Sequence, residues 1–376
     1  MDMLQKIELL GASAQYDVCI ACGTHANRRT DDLGRWIYPA ALPDGRRIAQ
    51  LKVLQTNVCQ NNCFYCAQRA GRDSQRTQFT PDELAKAFAD LHRRGLVAGL
   101  FLSSGVSGDA GRSMDRMLAT VELLRKRYRF QGYVHLKMLP GISMAHVEQA
   151  VRLADRVSVN LEAPAQEYLS RIAPEKRYED LTNPMRWARD LIRASGRRSV
   201  SAGQTTQFVV GAAGEPDREL LSLGSALYRD FDLRRLYFSA FQPIAGTPLA
   251  DQPAERPLRE HRLYQSDFLM RQYRFRFEDL IFDENGFLPL DVDPKQVWAD
   301  HHPEWFPMEI GRASQWELVR VPGIGPKSAA KIVNGRHETS FRSLRDLKRV
   351  GVLAERAAPY ILLNGIRPGY QLPLWR

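Results

Sequence analysis

The chain has 376 residues, 44% hydrophobic and 26% charged, with 26 Gly and 21 Pro. That composition suits a globular protein with a sizeable core and excludes disordered and collagen-like classes. No apolar run approaches the ~18 residues of a membrane span, and the first ten residues lack the basic-then-apolar layout of a signal peptide, so the expected setting is cytoplasmic, with no membrane partner. The net charge is +10, of which residues 311–376, with 12 Lys and Arg against 4 Asp and Glu, carry +8, the asymmetry of a catalytic body joined to a module that meets a polyanion.

Residues 1–50 read as an N-terminal extension. Five cysteines, Cys19, Cys22, Cys59, Cys63 and Cys66, all fall in the first fifth of the chain. An odd number so clustered does not suit a secreted disulfide framework and does suit a metal site in a reducing compartment. Short apolar runs at 51–57, 97–104, 132–138, 156–162, 205–211 and 235–241 read as strands buried on both faces. Between them lie amphipathic helical stretches at 81–94, 113–127, 183–195 and 217–230. Repeating βα units imply a parallel sheet, and about six of them are too few for a full eight-stranded barrel. The expected fold over 51–250 is therefore α/β, a partial (β/α)6 TIM-like barrel or an open sheet. Pro-rich punctuation at 243–257 and 287–307 brackets a packing helix at 258–273, making 251–310 a connector. Residues 311–376 follow as a small all-α module.

The array Cys59-Gln-Asn-Asn-Cys63-Phe-Tyr-Cys66 comes directly after the first βα strand, at the rim where such folds keep their chemistry. Three thiolates on one short loop can each hold one iron of a [4Fe-4S] cluster, leaving the fourth iron open to chelate a substrate. The alternative is a structural zinc whose tetrahedron is completed by Cys19 or Cys22.

This CxxxCxxC loop, with an aromatic residue, Tyr65, before its last cysteine, resembles the signature of the radical S-adenosylmethionine (SAM) superfamily. The resemblance implies that SAM binds the open iron and that one-electron cleavage of its C–S bond yields a 5′-deoxyadenosyl radical. An electron donor of the flavodoxin or ferredoxin type is then the expected partner. It also implies cofactor-binding positions: Tyr65; Ser103, Ser104 and Gly105 near the methionyl amine; Asn160 and Glu162 toward the ribose and methionyl carboxylate; and Gly211, with Glu215 nearby, against adenine. The superfamily's usual Gly-Gly-Glu acid is absent from the 102–106 stretch. Cys19-Ile-Ala-Cys22 is a lone CxxC: half a metal site, a redox pair, a catalytic hydrogen donor to a substrate radical, or none of these.

In the tail, Pro322-Gly-Ile-Gly325 is a tight turn between two short helical patterns, with Ile324, Ala329 and Val333 facing inward. It resembles a helix-hairpin-helix motif. Amides at Gly323 and Gly325 can take a phosphate, and Lys327 and Lys331 add charge. A degenerate copy follows with Val350-Gly-Val-Leu353 as its turn and Ala357 and Ile361 in the slots of Ala329 and Val333. Such a pair should bind nucleic acid with little sequence preference. Taken together, the two motifs resemble the DNA modification or repair radical SAM proteins, a biotin-synthase-like barrel followed by tandem helix-hairpin-helix motifs. Three functions compete: a radical SAM enzyme acting on DNA, one acting on RNA, and a non-enzymatic DNA-binding Fe-S protein.

Overall fold

A computed structural model of the chain describes residues 1–14, 36–41, 46–195, 200–337 and 340–369. Cys19 and Cys22 lie outside the described residues. The chain divides into two compact units, Met1–Glu215 with Ala226–Glu260, and Pro216–Ser225 with His261–Arg376.

The first unit is built on one seven-stranded sheet whose spatial order is its sequence order. It comprises β1 (Ile37–Ala41), β2 (Arg47–Leu54), β3 (Gly99–Ser103), β4 (Tyr133–Lys137), β5 (Arg156–Ser158), β6 (Gln204–Val210) and β7 (Arg235–Ala240). Strands β2 to β7 are all parallel and curl into an open half-barrel. Among the described residues, no helix is long and apolar enough to cross a membrane.

The helices follow local chemistry. Helix α1 (Met3–Ala14) precedes the sheet, and α2 (Pro81–Arg93) starts at a reciprocal cap. The Thr80 hydroxyl accepts from the Glu83 amide at 3.2 Å, and the Glu83 carboxylate accepts from the Thr80 amide at 2.9 Å. Pro81 opens the helix where no donor is needed. Its inner face buries Leu84, Phe88 and Leu91, each contributing about 1.5–3 kcal/mol. Helices α3 (Ala110–Lys126), α4 (Met144–Leu153), α5 (Gln166–Ile172), α6 (Tyr178–Ser195) and α7 (Asp217–Asp230) fill the crossovers.

Three expectations change around the sheet. Helix α6 begins five residues before the predicted start and runs through Pro184. The Asp180 carbonyl, which a proline cannot satisfy, accepts instead from the Gly141 amide at 2.9 Å. Strand β5 stops at Ser158 because Asn160 and Leu161 leave the ladder; the Leu161 amide donates to Thr206 Oγ1 at 3.1 Å, and Glu162 turns to a positive φ of 66°. Strand β1, within the predicted extension, pairs antiparallel with β2 as an edge strand carrying Pro39.

The second unit contains most of α7 and of α8 (Pro257–Gln272), with α9 (Pro294–His301), α10 (Gln315–Leu318), α11 (Pro326–Gly335), α12 (Leu344–Arg349) and α13 (Ala354–Ala357). Helix α9 interrupts the predicted irregular connector: Asp293 caps it, accepting from the Lys295 and Gln296 amides, with Pro294 in its first turn. Ile310, Leu318, Val321, Ile324, Ala329, Ile332, Leu347, Ala357 and Ile361 form the core, and Val333 packs against it partly buried. Ile361 is not helical. Pro359 ends the second copy's helix, and Ile361 instead pairs with Met308 in a two-residue parallel ladder, β8 (Met308–Glu309) with β9 (Ile361–Leu362).

Candidate active site and hairpin module

The cysteine loop leaves the sheet through a polar run that fixes its base. The buried Gln55 donates to the Phe79 carbonyl at 2.9 Å and accepts from Thr120 Oγ1 at 2.8 Å. Asn57 donates to the Gln75 carbonyl at 2.9 Å and accepts from the Thr77 amide at 2.8 Å. Arg76 then staples the loop from behind, donating to the carbonyls of Asn57 (2.6 Å), Gln68 (2.9 Å), Arg69 (2.7 Å) and Arg72 (3.0 Å). From the other side, the Phe64 amide donates to the Ile172 carbonyl and the Asn62 amide to Glu175 Oε2, both at 2.7 Å.

The end of β3 closes on this loop. The Gly105 amide donates to the Thr56 carbonyl, and the Gln60 amide to the Val106 carbonyl, both at 2.8 Å. A Cβ on Gly105 would stand 2.3 Å from the Val58 carbonyl oxygen, so only glycine fits this approach. The Val106 amide donates to Cys59 Sγ and the Gln68 amide to Cys66 Sγ, each at 3.4 Å.

A cavity of about 300 Å3 opens above the loop at the C-terminal ends of the parallel strands. It brings together Cys59, Cys63, Cys66, Tyr65, Ser103, Ser104, Gly105, Asn160 and Glu162. Gly211 is not among the lining residues: its φ is +86°, and a Cβ there would meet Glu255 Oε2 at 2.4 Å. Glu215 serves that turn, accepting from the Gly211 amide at 2.6 Å and the Ala213 amide at 3.2 Å.

Sequence reasoning missed Lys137, Lys176, Gln207, Ser239 and Gln242, which also line the cavity. Lys137 and Ser239 lie near the C-terminal ends of their strands, a signal that was available, whereas Gln207 is in the middle of β6. Lys176 sits between α5 and α6, and nothing in the sequence marks it.

Burial governs the electrostatics. It pushes the Cys66 thiol up to about 12, reinforced by the charge of Cys63, and raises Cys63 as well. Thiols so placed ionise only against a cation, and iron ligation supplies one. Tyr65 is held well above its usual range by burial and then by Glu162, to which it is hydrogen-bonded. Lys176 pairs with Glu162 Oε1 at 3.1 Å, with side chains 10% and 7% exposed. Burial works against the ammonium, but the charges of Cys63 and Glu162 outweigh it, and its pKa lies above that of an ordinary lysine.

In the second unit, the Pro322–Gly325 turn has Gly323 at φ +83°, where a Cβ would meet the Leu353 carbonyl oxygen at 2.5 Å. The Leu353 amide donates to the Gly323 carbonyl at 3.0 Å, and Ser328 Oγ to the Gly351 carbonyl at 2.9 Å, joining the two hairpins. Gly351 is likewise left-handed, at φ +88°. Gly325 caps α11 without a side chain, leaving first-turn amides open to an anion. Lys327 and Lys331 stand one turn apart, both exposed. Lys295 is buried and donates to the Ile324 carbonyl at 2.5 Å; burial, and then Arg320, lower its pKa to about 7.

Two parts of the chain match known families. Residues 53–224 match the Radical SAM superfamily and residues 308–358 the Helix-hairpin-helix motif, so the chain carries a domain of the first kind and a motif of the second. Biotin synthase of Streptomyces coelicolor is 24% identical over 214 residues, 55% of this chain and 49% of that protein. Biotin synthase of Renibacterium salmoninarum is 28% identical over 206 residues, 53% of this chain and 55% of that one. The chain thus spans about half the length of these curated relatives. Among solved structures, the [FeFe]-hydrogenase maturase HydG aligns with a TM-score of 0.48 at 14% identity, covering 58% of this chain and 49% of that one. Methylornithine synthase (PylB) aligns at 0.46 and 14%, covering 59% and 61%.

Members of the superfamily are enzymes that use a [4Fe-4S] cluster and SAM. The donor set fits such a cluster. Three thiols line one cavity, two of them already accept backbone amides, and a glycine gives the wall its close approach. Among the described residues no group of three His, Cys, Asp or Glu is placed to hold a single metal ion. A cluster does not require that convergence, since each thiolate takes a different iron.

Proposed function

We propose that this chain, with its radical SAM domain and helix-hairpin-helix motif, is a radical SAM enzyme that modifies or repairs DNA. The carrying observation is that three thiols share one cavity with polar strand-end residues, on a chain whose hairpin module presents open amides and exposed lysines. Bound at this cavity, a [4Fe-4S] cluster and SAM would supply a 5′-deoxyadenosyl radical, the electron coming from a flavodoxin- or ferredoxin-type donor. Cys59, Cys63 and Cys66 hold the iron. The Ser103, Ser104 and Gly105 backbone, Asn160, Glu162 and Tyr65 orient the SAM, while Gly211 shapes the turn behind the cavity. The hairpin amides at Gly323 and Gly325, with Lys327 and Lys331, grip phosphates without reading bases. In this reading residues 51–250 do the chemistry, 251–310 connect, and 311–376 hold the nucleic acid. A base reaching the cavity must leave its stack, so damaged, mismatched or single-stranded sites are favoured.

Anaerobic reconstitution tests the first half: about four irons per chain and a reduced-cluster EPR signal altered by SAM are expected. One zinc per chain and no response to SAM would remove the reading. Binding of labelled duplex DNA and RNA across a salt series tests the second half. Affinity for DNA should fall steeply with salt; tighter binding to RNA would move the substrate to that class.

A further inference from the structure

We infer that Lys176 is the counter-cation of the cluster, a positioning residue whose buried ammonium makes the iron held by Cys59, Cys63 and Cys66 easier to reduce. The inference rests on the proposed cluster at that loop.

The segment from Ile172 to Lys176 grips the cysteine loop. Ile172 accepts the Phe64 amide, Glu175 accepts the Asn62 amide, and Lys176 lines the cavity with the three thiols. Its backbone is fixed on both sides: the Lys176 amide donates to the Ala173 carbonyl at 2.9 Å, and its own carbonyl accepts from Gln166 Nε2 at 3.3 Å. The ammonium itself is held at the cavity wall by Glu162 Oε1 at 3.1 Å.

Burying this pair is costly for the fold. Two charges are taken out of water, and Glu162 stands in the left-handed region at φ +66°, unfavourable for a residue other than glycine. Such a cost at a cavity wall points to function. The relevant chemistry is charge. Cluster potential follows net charge and hydrogen bonding at the sulfurs. Reduction adds one negative charge, which a fixed cation in a low-dielectric wall stabilises and a fixed carboxylate opposes. Lys176 shares the cavity wall with the three thiols, and the Val106 and Gln68 amides act in the same direction at Cys59 and Cys66.

The test is an EPR-monitored redox titration of the reconstituted full chain without SAM. Lys176→Met should lower the reduced-to-oxidised ratio at least tenfold at the wild-type midpoint, a shift of about 59 mV to lower potential for one electron. Lys176→Arg should stay within about threefold of wild type, and Glu162→Gln should move the ratio the other way. Unchanged ratios in both Lys176→Met and Glu162→Gln would overturn the inference. So would a Lys176→Met shift seen only with SAM added, which would assign the lysine to SAM's carboxylate. If Lys176→Met retains no iron, the sign of the Glu162→Gln shift decides: a shift to lower potential, or none, rejects it. A wild-type chain that never acquires about four irons would instead reject the cluster itself.

Discussion

Replacing Arg76 by Met should loosen the cysteine loop while leaving the barrel folded. Methionine keeps an apolar stem of similar length but removes the donors that hold four carbonyls between Asn57 and Arg72. A hydrogen bond from a charged donor contributes about 1.5–3 kcal/mol net. Arg76 is only half-buried, so water replaces part of the loss, and the four bonds together should cost about 3–4 kcal/mol of local stability. At about 1.4 kcal/mol per factor of ten, the open-loop population rises by a few hundredfold. Amide hydrogen exchange over residues 57–72 should accelerate accordingly, and the reconstituted chain should lose iron faster to a chelator, with exchange in the β3 and β6 core nearly unchanged. Arg76→Lys should fall between, since an ammonium cannot span all four acceptors. Exchange and iron loss within about threefold of wild type in Arg76→Met would refute the idea that this guanidinium staples the loop.

Gly105→Ala places a Cβ 2.3 Å from the Val58 carbonyl; it should cost at least about 1–3 kcal/mol and reduce iron content, read by urea unfolding and iron analysis. Gly323→Ala imposes a β-carbon 2.5 Å from the Leu353 carbonyl at φ +83°. It should weaken duplex binding about tenfold or more with the salt slope nearly unchanged, whereas Lys327→Ala should reduce that slope by about 1. Lys295 titrates near 7 when folded against about 10.4 when unfolded. The unfolded chain therefore binds more protons between those values, and stability rises with pH across them by up to about 1.4 kcal/mol per unit. Urea unfolding at about pH 7 and about pH 8.5 should show wild type gaining about 2 kcal/mol relative to Lys295→Met.

The βα array is legible because its strands carry short apolar stretches and helices such as α2 and α3 carry their own caps. Helix α7 runs over 217–230 as its amphipathic pattern predicts, and Thr80-Pro81 marks the start of α2. What periodicity cannot supply is tertiary substitution: Pro184 stays inside α6 only because Gly141 takes the orphaned Asp180 carbonyl. Strand β1 is hidden by Pro39, which an edge tolerates, and β5 is shortened where Asn160 and Leu161 leave the ladder. At the site, the cysteine spacing names its own chemistry. Arg76, Glu175 and Lys176 are single charged residues in loops, with no repeat to mark them, and they meet the cysteines only once the chain folds.

The most direct measurement is label transfer. The reconstituted, reduced full chain is incubated with SAM and oligonucleotides deuterated at base and sugar positions, both duplex and mismatched, and 5′-deoxyadenosine is analysed by mass spectrometry. The expected result is deuterated 5′-deoxyadenosine, more from mismatched or single-stranded DNA than from intact duplex, lost in Cys63→Ala. If Cys19 or Cys22 returns the hydrogen atom, its alanine variant should still give that product but leave the DNA altered or stalled. Unlabelled 5′-deoxyadenosine from every DNA and RNA tested, with about four irons and a SAM-responsive cluster confirmed, would contradict a nucleic-acid substrate.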